Sequence, residues 1–371
     1  MFPILTYTKK MAEKEKIVQT TTVTTTTVTT TTETKKKGGW WSGLKTAVKA
    51  LLIACCVLVV AGAVLLIVFG RAKNVSSSME ATIGKNSKVF FNRFSTPEAL
   101  DVVVFRHPET DSVVPTAHDK NYYKMCRMYG QNWCSKNEVV YQKLKKRPIY
   151  LSRVYGTPGT IIEIKNNVVY LNNAPVADPD STKYPFIVAN DRVVSKTMLD
   201  SWGLKKEDMT SEEDYAETFI GLYRNKIASS SNLAIYSLNE NSADKLSKFS
   251  AINKVEKIVL PKDLFEPTVF PYLETKHWNQ SNFGPVAIPQ KGKVLKLSVN
   301  TLPLYRRCIE AYEGNKVEVK NGKIFINGKE ESSYRFTKDY YFVLGDNRSG
   351  KDDSRYFGFL PDDHILGVAC E

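Results

Sequence analysis

Residues 345–367 read GDNRSGKDDSRYFGFLPDDHILG, placing five aspartates, two arginines and an asparagine between the apolar runs Tyr340–Leu344 and Ile365–Ala369. Charges this close to core strands are costly unless each finds a partner. The simplest expectation is an ion-pair knot, with Asp346 or Asp353 set against Arg348 or Arg355. The two flanking runs are short and rich in Tyr, Phe, Val and Ile, which predicts strands.

Moving outward, segments 88–91, 101–105, 161–171, 294–299 and 317–326 have the same character, with turn residues around them. Together they predict an antiparallel β domain. Two stretches echo each other, EIKNNVVYLNN at 163–173 and EVKNGKIFING at 318–328. Each carries Asn-Asn or Asn-Gly between strand-like runs, the residues that tolerate the positive φ of a type I′ turn, so each is expected to be a hairpin. Between them the composition changes. Thr210 and Glu213 form a capping-box start for a helix to about Ile227, and 242–258 also reads as helical, so 179–289 is expected to be an inserted α+β region. A shorter helix, 304–312, is expected to end at Gly314.

A net charge of +13 and a pI near 9.2 call for acidic surroundings, but no nucleic-acid motif accompanies them. The charge has a use near the N-terminus. Residues 19–34 are almost all threonine, which predicts a disordered tail over 1–37, with Met11 as an alternative start. Lys35 to Lys37, Trp40, Trp41, Lys45 and Lys49 follow, and then 50–70 runs without a charge. That run is about 30 Å long as a helix, enough to cross a bilayer, and the tryptophans suit its interface. The expected span is 46–71, with the lysine excess putting the N-terminus in the cytoplasm and the large domain on the periplasmic or extracellular side. Of the six cysteines, Cys126, Cys134, Cys308 and Cys370 lie beyond the span; all four are read as structural, with a Cys126–Cys134 bridge left open.

The word order of 345–358 resembles the G-D-N-R-x-x-S-x-D-S-R-x-W-G segment of the type I signal peptidases, with Lys351 where the family has its first serine. Three more segments resemble that family in order. SSSMEATI at 76–83 is similar to S-x-S-M-x-P-T-L, LDVVVF at 100–105 to G-D-I-V-V-F, and YLSRVYGTPGT at 150–160 to Y-x-K-R-x-x-G-x-P-G-D. The resemblance implies a mainly β catalytic core of signal peptidase type in two parts, 74–178 and 290–371, flanking the insertion. It implies Ser78 as nucleophile, the Ser78 N–H and Ser76 hydroxyl as oxyanion hole, and Asp346, Asn347, Arg348, Asp353, Ser354, Arg355 and Arg153 as the structural loop around the site. It implies no metal and no organic cofactor. The partners would be preprotein signal peptides lying extended against a strand edge, membrane lipid, and the secretion machinery as a further candidate, without nucleic acid.

Besides Lys351, the chain departs from the family with Ala81 for proline, Thr160 for aspartate, and Ser152 for the lysine base. A serine hydroxyl needs a neighbour to remove its proton, and a desolvated lysine amine does this where another hydroxyl cannot. Two readings follow. Either the chain is a non-catalytic homologue that binds signal peptides or a partner, or the base has moved. In the second, Lys351 and Ser152 have exchanged roles, Lys351 supplying the amine and Ser152 the supporting hydroxyl. Asp352 and Asp353 beside Lys351 would oppose this by stabilising its ammonium form.

Overall fold

The structure is a computed structural model describing residues 40–117, 121–191, 195–204, 208 and 232–370. The expected disordered tail and the expected helix from Thr210 lie outside the described residues. The chain divides into two units between Val59 and Val60. A helix runs Trp40–Val68, and its stretch Lys45–Val68 is long and apolar enough to cross a membrane, with its side chains unburied by protein.

Seven strands form the sheet that carries the site: β1 (Phe69–Lys73), β2 (Lys88–Asn92), β3 (Val102–Arg106), β4 (Ile149–Gly156), β5 (Tyr340–Leu344), β6 (Leu360–Pro361) and β7 (Ile365–Ala369). Their order is β1-β2-β7-β3-β4-β5-β6, and every neighbouring pair is antiparallel. Alternation along β3 explains its unbroken run of valines. Val102 and Val104 pack with Ala72, Met79, Phe91 and Leu151, while Val103 and Phe105 pack with Val154, Val343, Phe357 and Leu360. A strand covered on both faces needs apolar residues at every position.

The two echoing stretches are both hairpins. Ile161–Lys165 pairs with Val168–Leu171, and Val317–Lys320 with Lys323–Ile326. Asn166, Asn167, Asn321 and Gly322 all have positive φ, as a type I′ turn requires. Both hairpins contribute to one large core with Tyr155, Phe283, Tyr305, Phe336 and Tyr340. The helix expected over 304–312 runs Leu302–Arg307 and continues as a wider turn over Cys308–Tyr312, with Gly314 at φ +71 after it.

Within the expected insertion, Tyr184–Asn190 lies between Asn232–Leu238 and Ile252–Lys257 in a three-stranded sheet. This sheet packs on Lys196–Trp202 and Glu240–Leu246 over its own core, including Tyr236, Leu199 and Leu246. The reading of 242–258 as helix is therefore corrected. The helix stops at Leu246, and Ile252–Lys257 is a strand because the fully buried Tyr184–Asn190 needs a ladder partner on its second side. Cys126 is disulfide-bonded, while Cys55, Cys56, Cys308 and Cys370 are free thiols.

Candidate active site

Ser76 and Ser78 sit on the connection from β1 to β2, and Asn74 shapes it. The fully buried Asn74 donates to the Ile83 carbonyl at 2.8 Å and accepts the Ser76 N–H at 3.2 Å, closing the segment on itself. Met79, also fully buried, anchors the middle of the loop in the Val102–Leu151 core. Ser78 is thereby held at 1% exposure, and its carbonyl accepts the Asn347 N–H at 2.8 Å. Gly345 is required beside it, since a Cβ there would stand 2.6 Å from the Ser78 carbonyl oxygen.

The hydroxyls of Ser76 and Ser78 meet. Ser76 Oγ is 3.0 Å from Ser78 Oγ and accepts the Ser78 N–H at 3.0 Å, and Ser78 Oγ is 3.3 Å from the Leu151 carbonyl on β4. Ser152 is fully buried opposite Val103, and its hydroxyl donates to the same Leu151 carbonyl at 2.8 Å. Lys351 is half-buried in the loop, and among the described residues no hydrogen bond joins it to Ser78 or Ser152.

Around these serines stands a frame of buried ion pairs. Arg153 grips Asp346 with two nitrogens at 2.9 and 2.7 Å and donates to the Leu100 carbonyl at 2.7 Å; Thr82 adds a hydrogen bond to Asp346. Arg348 pairs with Asp178 at 2.6 Å and donates to the Tyr155 hydroxyl at 2.8 Å. Asp353 pairs with Arg355 at 2.8 Å, accepts the Gly345 N–H at 3.1 Å, and caps the short helix Ser354–Phe357. Ser354 Oγ accepts the Val343 N–H at 2.9 Å, tying that helix to β5. The expected knot is thus corrected in part. Asp353 does meet Arg355, but Asp346 and Arg348 take partners from distant segments, because neighbours along a tight loop cannot all present their side chains to one another. Asn347 faces the insertion, where Ser237 donates to its side chain, and Lys183 is bonded through its backbone to Asp346 and Arg348.

Two residues that sequence reasoning missed complete the picture. Asp352 Oδ2 lies 3.1 Å from Ser76 Oγ, a contact across 276 residues. Its side chain also opens on a cavity of about 240 Å³ shared with His107, Lys124, Gln142 and Tyr150. His107 is 4% exposed, packs between Tyr150 and Phe357, and has no partner for Nδ1. Burial lowers its pKa below the ordinary imidazole value, with Asp352 and Glu109 pulling the other way. Asp352 stands at an unspecified position of the 345–358 segment and His107 in none of the four segments, and the fold brings Asp352 to Ser76 and His107 to the cavity that Asp352 lines.

The family model for signal peptidase, peptidase S26, matches residues 44–244 and 289–370. The chain belongs to the signal peptidase family. Among curated relatives, a probable signal peptidase I-2 of Synechocystis is 36% identical over 69 residues, 15% of this chain and 32% of that protein. The thylakoidal processing peptidase 1 of Arabidopsis thaliana is 42% identical over 77 residues, covering 17% and 23%, and signal peptidase IB of Staphylococcus aureus is 28% identical over 109, covering 21% and 57%. The chain therefore matches less than two thirds of the length of each relative. In the structure the two serines stand beside the arginine–aspartate frame, and β4 places a further hydroxyl, that of Ser152, next to them on the Leu151 carbonyl.

Proposed function

We propose that this protein is a signal peptidase I-type serine endopeptidase that removes N-terminal signal peptides from exported preproteins, with Ser78 as its nucleophile. The observation that carries the reading is the seating of Ser78. Its hydroxyl lies against Ser76 Oγ and the Leu151 carbonyl, its N–H donates to Ser76 Oγ, and its carbonyl accepts the Asn347 N–H. A nucleophile gains from being held in this way, because orientation removes part of the entropic barrier. The helix Trp40–Val68 would anchor the protein in the plasma membrane as a single pass, with the N-terminus cytoplasmic and the β domain on the far side. The catalytic parts would be 74–178 and 290–371, the 179–289 region a separate insertion, and the partners signal peptides, lipid and the secretion machinery.

One observation favours a second reading. The Ser152 hydroxyl is buried against its own strand's carbonyl, so no amine occupies the family's base position, as a non-catalytic signal-peptide-binding homologue would have it. Cleavage of a preprotein in detergent separates the two. The expected result is cleavage by the unmodified protein and none by Ser78→Ala. Binding of the signal peptide with no cleavage would overturn the peptidase reading. Loss of cleavage in Lys351→Ala would assign the base to Lys351.

A further inference from the structure

The hydrogen bonds of Ser76 contain more than an oxyanion donor. Its Oγ has three neighbours: Ser78 N at 3.0 Å, Ser78 Oγ at 3.0 Å and Asp352 Oδ2 at 3.1 Å. A hydroxyl offers one proton and two lone pairs, and a carboxylate only accepts. Were the Ser76 proton given to Ser78, the Asp352 carboxylate and Ser76 oxygen would face each other with lone pairs alone. With the proton given to Asp352, one lone pair takes the Ser78 N–H and the other takes the Ser78 O–H at 3.0 Å, while the Leu151 carbonyl, 3.3 Å from Ser78 Oγ, keeps the Ser152 O–H. A charged acceptor also makes the stronger bond.

We infer that Ser78, Ser76 and Asp352 form a proton relay that replaces the missing amine, with Ser76 as the intermediary and the Asp352 carboxylate as the acceptor. The relay rests on the reading of Ser78 as nucleophile. In the attack step, Ser78 Oγ bonds to the scissile carbon and the carbonyl π pair moves onto oxygen. The Ser78 proton passes to Ser76 as the Ser76 proton passes to Asp352, so the negative charge of Asp352 is exchanged for that of the oxyanion. When the C–N bond breaks, Asp352 returns its proton to Ser76, and Ser76 gives its own to the departing nitrogen. Water then repeats the sequence to release the acyl group.

Burial supports the arrangement. Ser76 is 5% and Ser78 1% exposed, so bulk water does not compete for the two hydroxyls. Asp352 is half-buried and faces the cavity holding His107 and Lys124, with Lys351 next to it in the chain. Tyr150 lines the same cavity.

The test uses the full-length protein in detergent and Asp352→Asn, which keeps an oxygen for Ser76 and loses the basicity. Two reactions are followed: preprotein cleavage, and acylation of Ser78 by N-acetylalanine p-nitrophenyl ester, located by mass spectrometry. The expected result is a loss of about 100-fold or more in kcat with KM unchanged. The acid limb of the pH profile should vanish, acylation should fall in parallel, and Asp352→Glu should recover part of both. Cleavage by Asp352→Asn within twofold of the parent would overturn the relay and leave the peptidase reading standing. So would an acid limb that disappears in His107→Gln instead. Ester acylation that depends on Asp352, without preprotein cleavage, would keep the relay and remove the peptidase reading. Neither reaction in the parent protein would remove both.

Discussion

The ion-pair frame and the serine cluster lie side by side, joined by the Asn347 N–H on the Ser78 carbonyl, yet are held in different ways. In the frame, each arginine meets a carboxylate at 2.6–2.8 Å with both partners largely buried; Arg153 and Arg355 also donate to backbone carbonyls, and Arg348 to the Tyr155 hydroxyl. In the serine cluster the bonds are 2.8–3.3 Å long, link neutral hydroxyls, and reach a charged group only at Asp352. The frame sets the geometry of the site. None of its ion pairs passes through the hydroxyls of Ser76, Ser78 or Ser152.

The largest effect should come from breaking the frame. Asp346→Ala leaves the Arg153 guanidinium buried without its partner, and a destabilisation of about 3–5 kcal/mol is expected in denaturant midpoints of the detergent-solubilised protein. Replacing both members with apolar residues, Arg153→Met with Asp346→Leu, should recover much of that loss, because the desolvation cost of both charges is removed. A double variant as unstable as the single one would show that Thr82 and the Leu100 carbonyl, left unpaired, matter as much as the pair itself.

The boundary between the two regions is Gly345. Gly345→Ala pushes a Cβ against the Ser78 carbonyl, and a loss of about 1–3 kcal/mol is expected as the backbone shifts. Thermal melts measure the loss, and ester acylation of Ser78 should fall further than stability does. Inside the serine cluster the effects shrink. Ser152→Ala removes one buried hydroxyl whose acceptor, the Leu151 carbonyl, still has Ser78, and about 1 kcal/mol or less is expected by the same melts.

The smallest effect is on pH dependence. Burial, its largest influence, holds His107 below the ordinary imidazole value, so the unfolded chain binds a proton before the folded one does. The stability from keeping His107 neutral is present above the unfolded pKa of about 6.5 and is lost as pH falls below it. His107→Gln should flatten the fall in melting temperature between pH 7 and 5, with His364, also lowered by burial, carrying what remains. An unchanged slope would detach His107 from the titration.

How much of this could be read from the sequence follows from distance along the chain. The hairpins were legible because their turns are local, Asn166-Asn167 and Asn321-Gly322 needing only their own φ angles. The presence of paired charges in the loop was legible, but their partners were mostly not. Arg153 and Asp346 are 193 residues apart, and Arg348 and Asp178 are 170 apart, so only the sheet register joins them. The Ile252–Lys257 strand was misread because the sequence shows an apolar pattern compatible with a helix, while the requirement that decides it belongs to another strand. Asp352 was read only as a neighbour opposing a base at Lys351, since nothing near it in the sequence indicates that Ser76 will arrive beside it.

The place of β7 has a further consequence for the order in which the site can be made. It lies between β2 and β3, and every other strand of that sheet precedes it in the chain. During synthesis the β1–β2 ribbon carrying Ser76 and Ser78 and the β3–β4 ribbon carrying Leu151 emerge long before the strand that fills the gap between them. The ladder joining the two ribbons therefore closes only after Ile365–Ala369 has left the ribosome, so Ser78 takes its position only once that strand has been made.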